Sequence, residues 1–476
     1  MTSWVREELS EVRFGDQRLD ERLLKVGEKL LEKPSLSLNR GQGDWAASKA
    51  AYRFFENDKV EVEPLLQVHV SRTRDRINES GRTILAIQDT TTFDYSNFES
   101  TEGLSEIYRN ERTWEGSEGG QGLLVHSTFA VTTDGLPLGL LDQNIFTHSK
   151  KAEKRDHKNI PIENKESYRW ITPIMKTAML FSDPKNIVHV CDREGDIFEL
   201  FYYAEKKNVK YLIRAAKDRV VGHRFKGWST IKNKNKTLWE LMEEQATAGN
   251  LVVEIPKQKN REAREALCEV RFLKTVYTPS YRTSGARSEP LSQVEVFAIW
   301  IIERSLPPGI KALEWMLLTN LPVESLEQAI EKVFWYRQRW RIEDYHKVLK
   351  SGCNIEKKRL NHIEKLRPLI TLMSIVAFRI YWMTWVARVS PTEDCRVVLS
   401  ESEWKALYCF RNRTKILPEK IPDLQEAIRW IAMLGGFLGR KGDGKPGATT
   451  LWRGWQRLRE ITEAWEVFNE CAATNG

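Results

Sequence analysis

Hydrophobic spacing changes twice along the chain and divides it into three predicted domains. Residues 1 to about 75 place apolar side chains three or four positions apart, as in FGDQRLDERLLKVGEKLLEK, which predicts a small helical domain. From Gly81 the spacing becomes that of strands. Beyond about residue 368 apolar helical patterns return, and they predict a helical C-terminal domain covering residues 368–476.

The middle domain, residues 76–367, alternates strand and helix patterns. GRTILAIQDTTTFDY predicts a buried strand that reaches Asp89, and LLVHSTFAVTTDGLPLGLL predicts a β-hairpin that turns at Asp134-Gly135. NIVHVCD predicts a strand that ends in Asp192. Three antiparallel strands followed by alternating helices and strands indicate an α/β fold, or α+β, with a mixed sheet.

Two features complete this domain. Residues from about 217 to 310 contain short β-rich pieces with polar connections, which predict an inserted β subdomain. The strand LEWMLLTNLPV follows, and then a pattern that predicts one helix from about Ser325 to Lys350.

Composition narrows the class of protein. The six cysteines are scattered without a CxxC motif, which argues against a disulfide framework and against structural zinc. The apolar stretch that begins at Leu369 is interrupted by Arg379, so it predicts a buried helix and not a membrane span. The N-terminal residues MTSWVREELSEV lack the apolar region of a signal peptide. We therefore expect a cytoplasmic protein.

Positive charge is concentrated in one segment. The formal net charge of the chain is only +8, but Tyr336 to Arg367 contains ten Lys or Arg against four Asp or Glu. Clustering of this kind is typical of a surface that binds a polyanion, although surface charge can also serve solubility alone.

Within that segment, WYRQRWRIEDYHKVLK predicts a helix with a cationic face. Tyr336, Arg339, Glu343, Lys347 and Lys350 are separated by 3, 4, 4 and 3 positions, so they fall within an arc of roughly 80°. Two interpretations remain open at this point. The helix either presents a carboxylate among cations to a phosphate ligand, or is a solvated surface helix in which Glu343 pairs with Arg339 and Lys347.

Three carboxylates are candidates for a metal site. Asp89 and Asp192 lie at the polar ends of apolar strands, and Glu343 lies on the helix that follows the next strand of the pattern. If they converge at one sheet edge, their oxygens could bind hard divalent cations, which support in-line displacement at phosphorus. The competing interpretation is that an Asp after a strand forms a turn.

These motifs resemble those of a known family. The residues Tyr336, Arg339, Glu343 and Lys350 form the pattern Y-x2-R-x3-E-x6-K, which is the YREK signature of a group of bacterial DDE transposases with a ribonuclease-H-like core. AIQDTTT around Asp89 and CDREGD around Asp192 resemble the two other acid motifs of that group, and their order along the chain also matches.

The resemblance implies a role for each site residue. Asp89, Asp192 and Glu343 would hold two catalytic Mg²⁺ ions per active site, with Mn²⁺ able to substitute. Tyr336, Arg339, Lys347 and Lys350 would contact DNA phosphates near the transposon end. Arg214 and Trp315 match positions that accommodate a base flipped out of the duplex, although a tryptophan on a strand is usually an ordinary core residue.

The resemblance also implies a reaction and its partners. In cut-and-paste transposition water nicks one DNA strand, the released 3′-hydroxyl attacks the opposite strand to form a DNA hairpin, water reopens it, and the freed ends attack target DNA. The N-terminal domain would recognise terminal inverted repeats and the C-terminal domain would form a homodimer in a paired-end complex, associated with the bacterial nucleoid when bound to DNA. A metal-dependent nuclease without strand transfer and a non-catalytic DNA-binding regulator are the alternatives.

Overall fold

The computed structural model gives the architecture of most of the chain. It describes residues 3–38, 45–97, 100–108, 120–148, 160–221, 236–255, 262–279, 291–305, 309, 312–440 and 443–474.

The N-terminal residues are helical, as predicted. Among the described residues, the helices with given bounds are α1 (Trp4–Leu9), α2 (Gln17–Glu32), α3 (Trp45–Glu56) and α4 (Val62–Ser80). Asp16 begins α2 as its N-cap, because its side chain accepts a hydrogen bond from the backbone N–H of Arg18. The left-handed backbone of Gly81, with φ of +59°, ends α4.

One mixed sheet forms the centre of the molecule. Its ten strands within the described residues are β1 (Ile84–Asp94), β2 (Ser105–Tyr108), β3 (Gly120–Thr132), β4 (Pro137–Phe146), β5 (Ile187–Cys191), β6 (Lys210–Arg214), β7 (Gly249–Ile255), β8 (Arg264–Tyr277), β9 (Val294–Glu303) and β10 (Glu314–Thr319). Their order is β2-β3-β1-β5-β6-β10-β9-β8-β7, with β4 also paired to β3. β1, β5 and β6 run parallel, whereas β3 and β4 are antiparallel to their neighbours.

This sheet confirms the predicted mixed α/β core. β3 and β4 form the β-hairpin expected at Asp134-Gly135, where Gly135 adopts a φ of +94°. The strands of the insertion do not form a separate layer. They extend the same sheet, because β9 pairs antiparallel with β10 and places Trp300 opposite Met316.

Helices cover the sheet and make up the C-terminal part. They are α5 (Thr172–Leu180), α6 (Phe198–Lys206), α7 (Leu238–Glu243), α8 (Leu326–Arg337), α9 (Trp340–Lys347), α10 (Ile363–Val389), α11 (Glu401–Asn412), α12 (Leu424–Leu434) and α13 (Ala448–Thr474). The prediction of one continuous helix from Ser325 to Lys350 was wrong. A two-residue turn at Gln338 and Arg339 separates α8 from α9, and a π-helical turn, Val348–Gly352, follows α9.

Helix α10 is the main core helix outside the sheet. It is long and apolar enough to cross a membrane, but 89% of its most apolar window is buried inside the protein. It packs on β4 and also on α2, α4 and α12. The predicted buried helix is therefore confirmed, and it joins the N-terminal helices, the sheet and the C-terminal helices in one core.

A buried carboxylate links α1 to the rest of the molecule. Glu8 is only 2% exposed, and Arg76 of α4 donates two hydrogen bonds to it, of 2.8 and 3.0 Å. His69 Nε2 accepts a hydrogen bond from the Leu140 N–H at 3.0 Å, so His69 is neutral and its Nδ1–H donates to Glu8 at 2.5 Å. These contacts hold α1, α4 and β4 together.

Replacement of Glu8 should destabilise the protein. Burial opposes ionisation of Glu8, but the hydrogen bonds from His69 and Arg76 and the positive charge of Arg76 outweigh it and lower the pKa of Glu8 from 4.5 to about 2. Because the folded-state pKa is depressed, this stabilisation is complete above about pH 4.5 and is lost as the pH falls through about 2. We expect Glu8→Gln to lower the free energy of unfolding by about 3 kcal/mol at pH 7 and to weaken its acid dependence.

Urea denaturation from pH 3 to pH 7 checks this, with Glu11→Gln as the matched control. Glu11 pairs with Arg72 at 2.7 Å but its side chain is 62% exposed, so its loss should cost less than about 1 kcal/mol. Equal losses in the two variants would show that burial of Glu8 does not matter.

Candidate active site

Asp89 and Asp192 lie on neighbouring parallel strands. β1 and β5 are paired up to Ile87 and Val190, so the residue two positions farther along each strand is an aspartate. Asp192 directly follows β5, as predicted. Asp89 is not at the end of its strand, because β1 continues to Asp94 and remains paired with β3. The two aspartates therefore lie next to each other on adjacent strands, at a point where β1 still continues.

Arg339 joins the helix that carries Glu343 to Asp89. Its Nη2 donates a hydrogen bond of 2.6 Å to Glu343 Oε1, and its Nη1 lies 3.8 Å from Asp89 Oδ2. The guanidinium is only 10% exposed. The predicted pairing of Arg339 with Glu343 is present, but it belongs to a partly buried cluster and not to a fully solvated helix face.

Burial and neighbouring charges change the ionisation of Asp89. Its pKa is raised from 3.8 to about 7. Burial is the largest cause of this rise, the negative charges of Asp192 and Glu343 contribute less, and the positive charge of Arg339 opposes both. A carboxyl group this crowded is a frequent mark of a functional site.

Tyr336, Arg214 and Trp315 form an adjoining cluster. Arg214 lies beside the Tyr336 hydroxyl, whose pKa burial raises and the positive charge of Arg214 lowers in part, and it donates a hydrogen bond of 2.8 Å to the Glu314 carbonyl. The rings of Trp315 and Tyr336 meet edge to face, with centroids 5.2 Å apart. Trp315 is 9% exposed. The structure thus brings the three residues together and packs Trp315 into the core.

The two lysines of the segment lie in different surroundings. Lys350 Nζ is 5.8 Å from the ring centroid of Phe93, on the same strand as Asp89. Lys347 lines a cavity of about 280 Å³ between α9, α10 and α13, together with Asp344 and Arg388. The shared face expected of one regular helix is not kept, because the chain turns before α9 and widens into a π-helical turn after it.

Comparison with protein families shows what this architecture belongs to. Residues 1–60 match the family described as Transposase DNA-binding, residues 174–378 match Transposase DDE domain, and residues 375–472 match Transposase Tn5 dimerisation domain. The chain is a DDE transposase. The transposase is accordingly a DNA-binding polynucleotidyl transferase with a ribonuclease-H-like core, it depends on divalent metal ions, and it forms homodimers.

The matched ranges contain only two of the three acids. Asp192 and Glu343 lie inside the DDE match, whereas Asp89 lies between the first two matches along the chain. The structure supplies what the matches leave out, since strand pairing puts Asp89 beside Asp192.

The acids have the chemistry that a divalent metal ion requires, although they are not assembled around one point. Oδ1 of Asp89 accepts the Thr90 N–H and Oδ1 of Asp192 accepts the Glu194 N–H, both at 2.8 Å. Within the described ranges, no three His, Cys, Asp or Glu side chains lie close enough to share a metal ion. Arg339 lies between Asp89 and Glu343, where its positive charge substitutes for that of a cation. Carboxylate oxygens fit Mg²⁺ or Mn²⁺.

Sequence reasoning missed the polar residues that surround the aspartates. Arg169 contacts Thr90 and Glu194, each close in sequence to one aspartate, and His126 contacts Thr90 at 2.8 Å. Nothing in the local pattern ESYRW marks Arg169 as part of a site, because its partners are remote in the chain.

Replacing Asp89 should stabilise the metal-free transposase at high pH. The pKa of Asp89 is raised in the folded state, so its contribution to stability is complete below about pH 3.8 and is lost as the pH rises through about 7. Asp89→Asn removes the ionisable group and therefore this loss of stability. Because Arg339 then loses a partner, we expect a gain of about 1 to 3 kcal/mol at pH 8 that disappears near pH 4.

Denaturation in the presence of a chelator at both pH values measures the difference. Asp75→Asn is the control, since Asp75 is 47% exposed and lies 3.8 Å from Arg74, and it should change stability by less than about 0.5 kcal/mol at either pH. Destabilisation by Asp89→Asn at pH 8 would argue against crowding of charge at the site.

Proposed function

We propose that this transposase carries out cut-and-paste transposition with Asp89, Asp192 and Glu343 as its catalytic acids, and that it belongs to the group with the YREK signature. The observation that carries the proposal is that strand pairing puts Asp192 beside Asp89, that Arg339 contacts both Asp89 and Glu343, and that the pKa of Asp89 is raised there to about 7. Acids crowded in this way are costly unless a cation joins them.

The three acids would hold two Mg²⁺ ions per active site, with Mn²⁺ as a substitute. Ions of this kind, when bound, activate the attacking oxygen and stabilise the leaving oxygen of an in-line displacement at phosphorus. A cation held by Asp89 and Glu343 would supply the positive charge that Arg339 now provides there, and the guanidinium would then be available to a DNA phosphate.

The remaining residues would bind and orient DNA. Lys350 lies near Phe93 of β1, on the strand that carries Asp89. Lys347 lies on the opposite side of the same segment, toward the C-terminal helices. Both are suited to phosphates. Tyr336 contacts Trp315 and lies beside Arg214, and these three residues would accommodate an extruded base once its aromatic neighbours are exposed to it.

The domains would divide the reaction between them. Residues 1–75 would bind the terminal inverted repeats, residues 76–367 would perform catalysis, and residues 368–476 would pair two copies in a paired-end complex on transposon and target DNA. Nicking, DNA hairpin formation, hairpin opening and strand transfer would then be successive phosphoryl transfers at one site in each protomer. The protein would act in the bacterial cytoplasm, on the nucleoid.

Variants of the three acids test the assignment. We expect Asp89→Asn, Asp192→Asn and Glu343→Gln each to reduce Mg²⁺-dependent cleavage of supercoiled DNA carrying transposon ends to background. Each amide keeps the shape of the side chain but removes the charge that binds the ion. Binding to end DNA should be unchanged in a gel-shift assay.

Asp183→Asn serves as the control, because Asp183 precedes β5 and its side chain is 59% exposed. Substantial cleavage by any one of the acid variants would remove that residue from the catalytic set. Cleavage by the wild type without insertion products would favour a nuclease, and binding without cleavage would favour a regulator.

Trp315 is tested by a variant that fills the core but lacks the aromatic face. Loss of base stacking worth about 1 to 3 kcal/mol should slow the DNA hairpin step about 10- to 100-fold in Trp315→Leu and spare the first nick. Trp300→Leu is the matched control, since Trp300 is a 4% exposed tryptophan on the neighbouring strand β9. Gel-resolved time courses and thermal melts follow both variants. Equal slowing of both steps by Trp315→Leu would show that Trp315 is only a core residue.

A further inference from the structure

Arg169 connects the two chain segments that carry the aspartates. Its Nε donates a hydrogen bond of 3.2 Å to Thr90 Oγ1, and its Nη2 donates one of 3.1 Å to Glu194 Oε2. Thr90 immediately follows Asp89. Glu194 belongs to the turn after β5, and its N–H donates to Asp192 Oδ1 at 2.8 Å. One guanidinium therefore spans the segments on which both acids lie.

The side chain of Arg169 is held in place by its own surroundings. It projects from a short 3-10 helix, Glu166–Trp170, and its Nη1 donates a hydrogen bond of 3.0 Å to the Glu166 carbonyl. Its guanidinium lies 5.7 Å from the ring centroid of Phe146, and the side chain is 15% exposed. The neighbouring Trp170 is buried against His126, with ring centroids 4.7 Å apart. A guanidinium fixed in this way can set a distance between its partners.

A buried chain of hydrogen bonds fixes the other side of Thr90. Burial lowers the pKa of His189 to about 3 and that of His126 well below 6.5, so both rings are neutral. The Gln88 amide N–H donates to His189 at 2.9 Å and its oxygen accepts from His126 Nε2 at 3.1 Å. His126 Nδ1 is therefore an acceptor, and the Thr90 hydroxyl donates to it at 2.8 Å. The hydroxyl oxygen of Thr90 is then oriented to accept from Arg169.

We propose that Arg169 is a positioning residue for the metal site: by joining Thr90 to Glu194 it sets the separation of Asp89 and Asp192. This proposal rests on the proposed function of the two aspartates. The ion pair of Arg169 in the described structure is with Glu194 and not with either aspartate, so Arg169 acts on the metal ligands through the residues beside them. It also lies outside the three matched family ranges.

Mn²⁺ binding to the full-length protein without DNA tests the proposal. Loss of a residue that orients metal ligands typically weakens metal binding about 10- to 100-fold, so calorimetry should show this for Arg169→Gln. Arg169→Lys keeps the charge but not the fork of donors, and should also bind Mn²⁺ more weakly. Arg82→Gln is the control, because Arg82 pairs with Asp134 at 3.1 Å near the other end of β1, and it should bind Mn²⁺ like the wild type.

The Thr90 hydroxyl supplies a second, independent pair of variants. Thr90→Val has nearly the same shape but cannot accept from Arg169, and it should weaken Mn²⁺ binding as Arg169→Gln does. Thr90→Ser keeps the hydroxyl and loses only the methyl group, so its Mn²⁺ affinity should stay within about threefold of the wild type. If residue 90 had only a structural role, the hydroxyl would not decide the affinity in this way. Thermal melts of all variants separate weaker metal binding from loss of folding.

The outcomes distinguish this proposal from the proposed function. Asp89→Asn should abolish Mn²⁺ binding, and if it binds like the wild type the proposed metal site itself is wrong. If Asp89→Asn loses binding while folded Arg169→Gln and Thr90→Val keep it, only the role of Arg169 is overturned. If Arg169→Gln binds Mn²⁺ normally but the salt dependence of DNA binding falls by about one unit, Arg169 contacts a phosphate instead.

Discussion

Burial of the Asp89 carboxyl group beside Asp192 and Glu343 is the constraint on which the rest of this transposase depends. Burial raises the pKa of Asp89 to about 7, and the negative charges of Asp192 and Glu343, which water screens less there, contribute to that rise. Arg339 offsets part of it by contacting Asp89 and Glu343 together. Such a site keeps its geometry only if each acid lies on a secondary-structure element whose position is fixed by packing.

The surrounding architecture provides that rigidity. Parallel pairing of β1 with β5 fixes the two aspartates relative to each other, and packing of α9 on β1 fixes Glu343. Farther out, Glu8 connects α1 to His69 and Arg76 of α4, while α10 packs against the N-terminal helices and the sheet. The helices that match the DNA-binding family are thus fixed to the sheet that carries the acids.

Local features of the sequence predicted much of this arrangement. The β-hairpin at Asp134-Gly135, the strand that ends before Asp192 and the buried helix around Arg379 were each predicted from a few adjacent residues. The errors arose where tertiary contacts override local preference. The helix predicted to run to Lys350 breaks at Arg339, which lies between Asp89 and Glu343, and Asp89 lies within a strand because β3 pairs beyond it.

The sequence by itself determined the types and order of the elements, the three acids and their basic neighbours, because hydrophobic period, turn residues and side-chain chemistry act over short distances along the chain. Only the tertiary structure decided that Arg339 lies between two acids, that Trp315 is largely buried, and that Lys347 and Lys350 lie in different surroundings. It also decided the place of Arg169, whose partner Thr90 is 79 residues away. Which side chains are buried, and how far apart charged groups lie, depend on which remote segments of the chain come into contact. No local sequence pattern encodes those contacts.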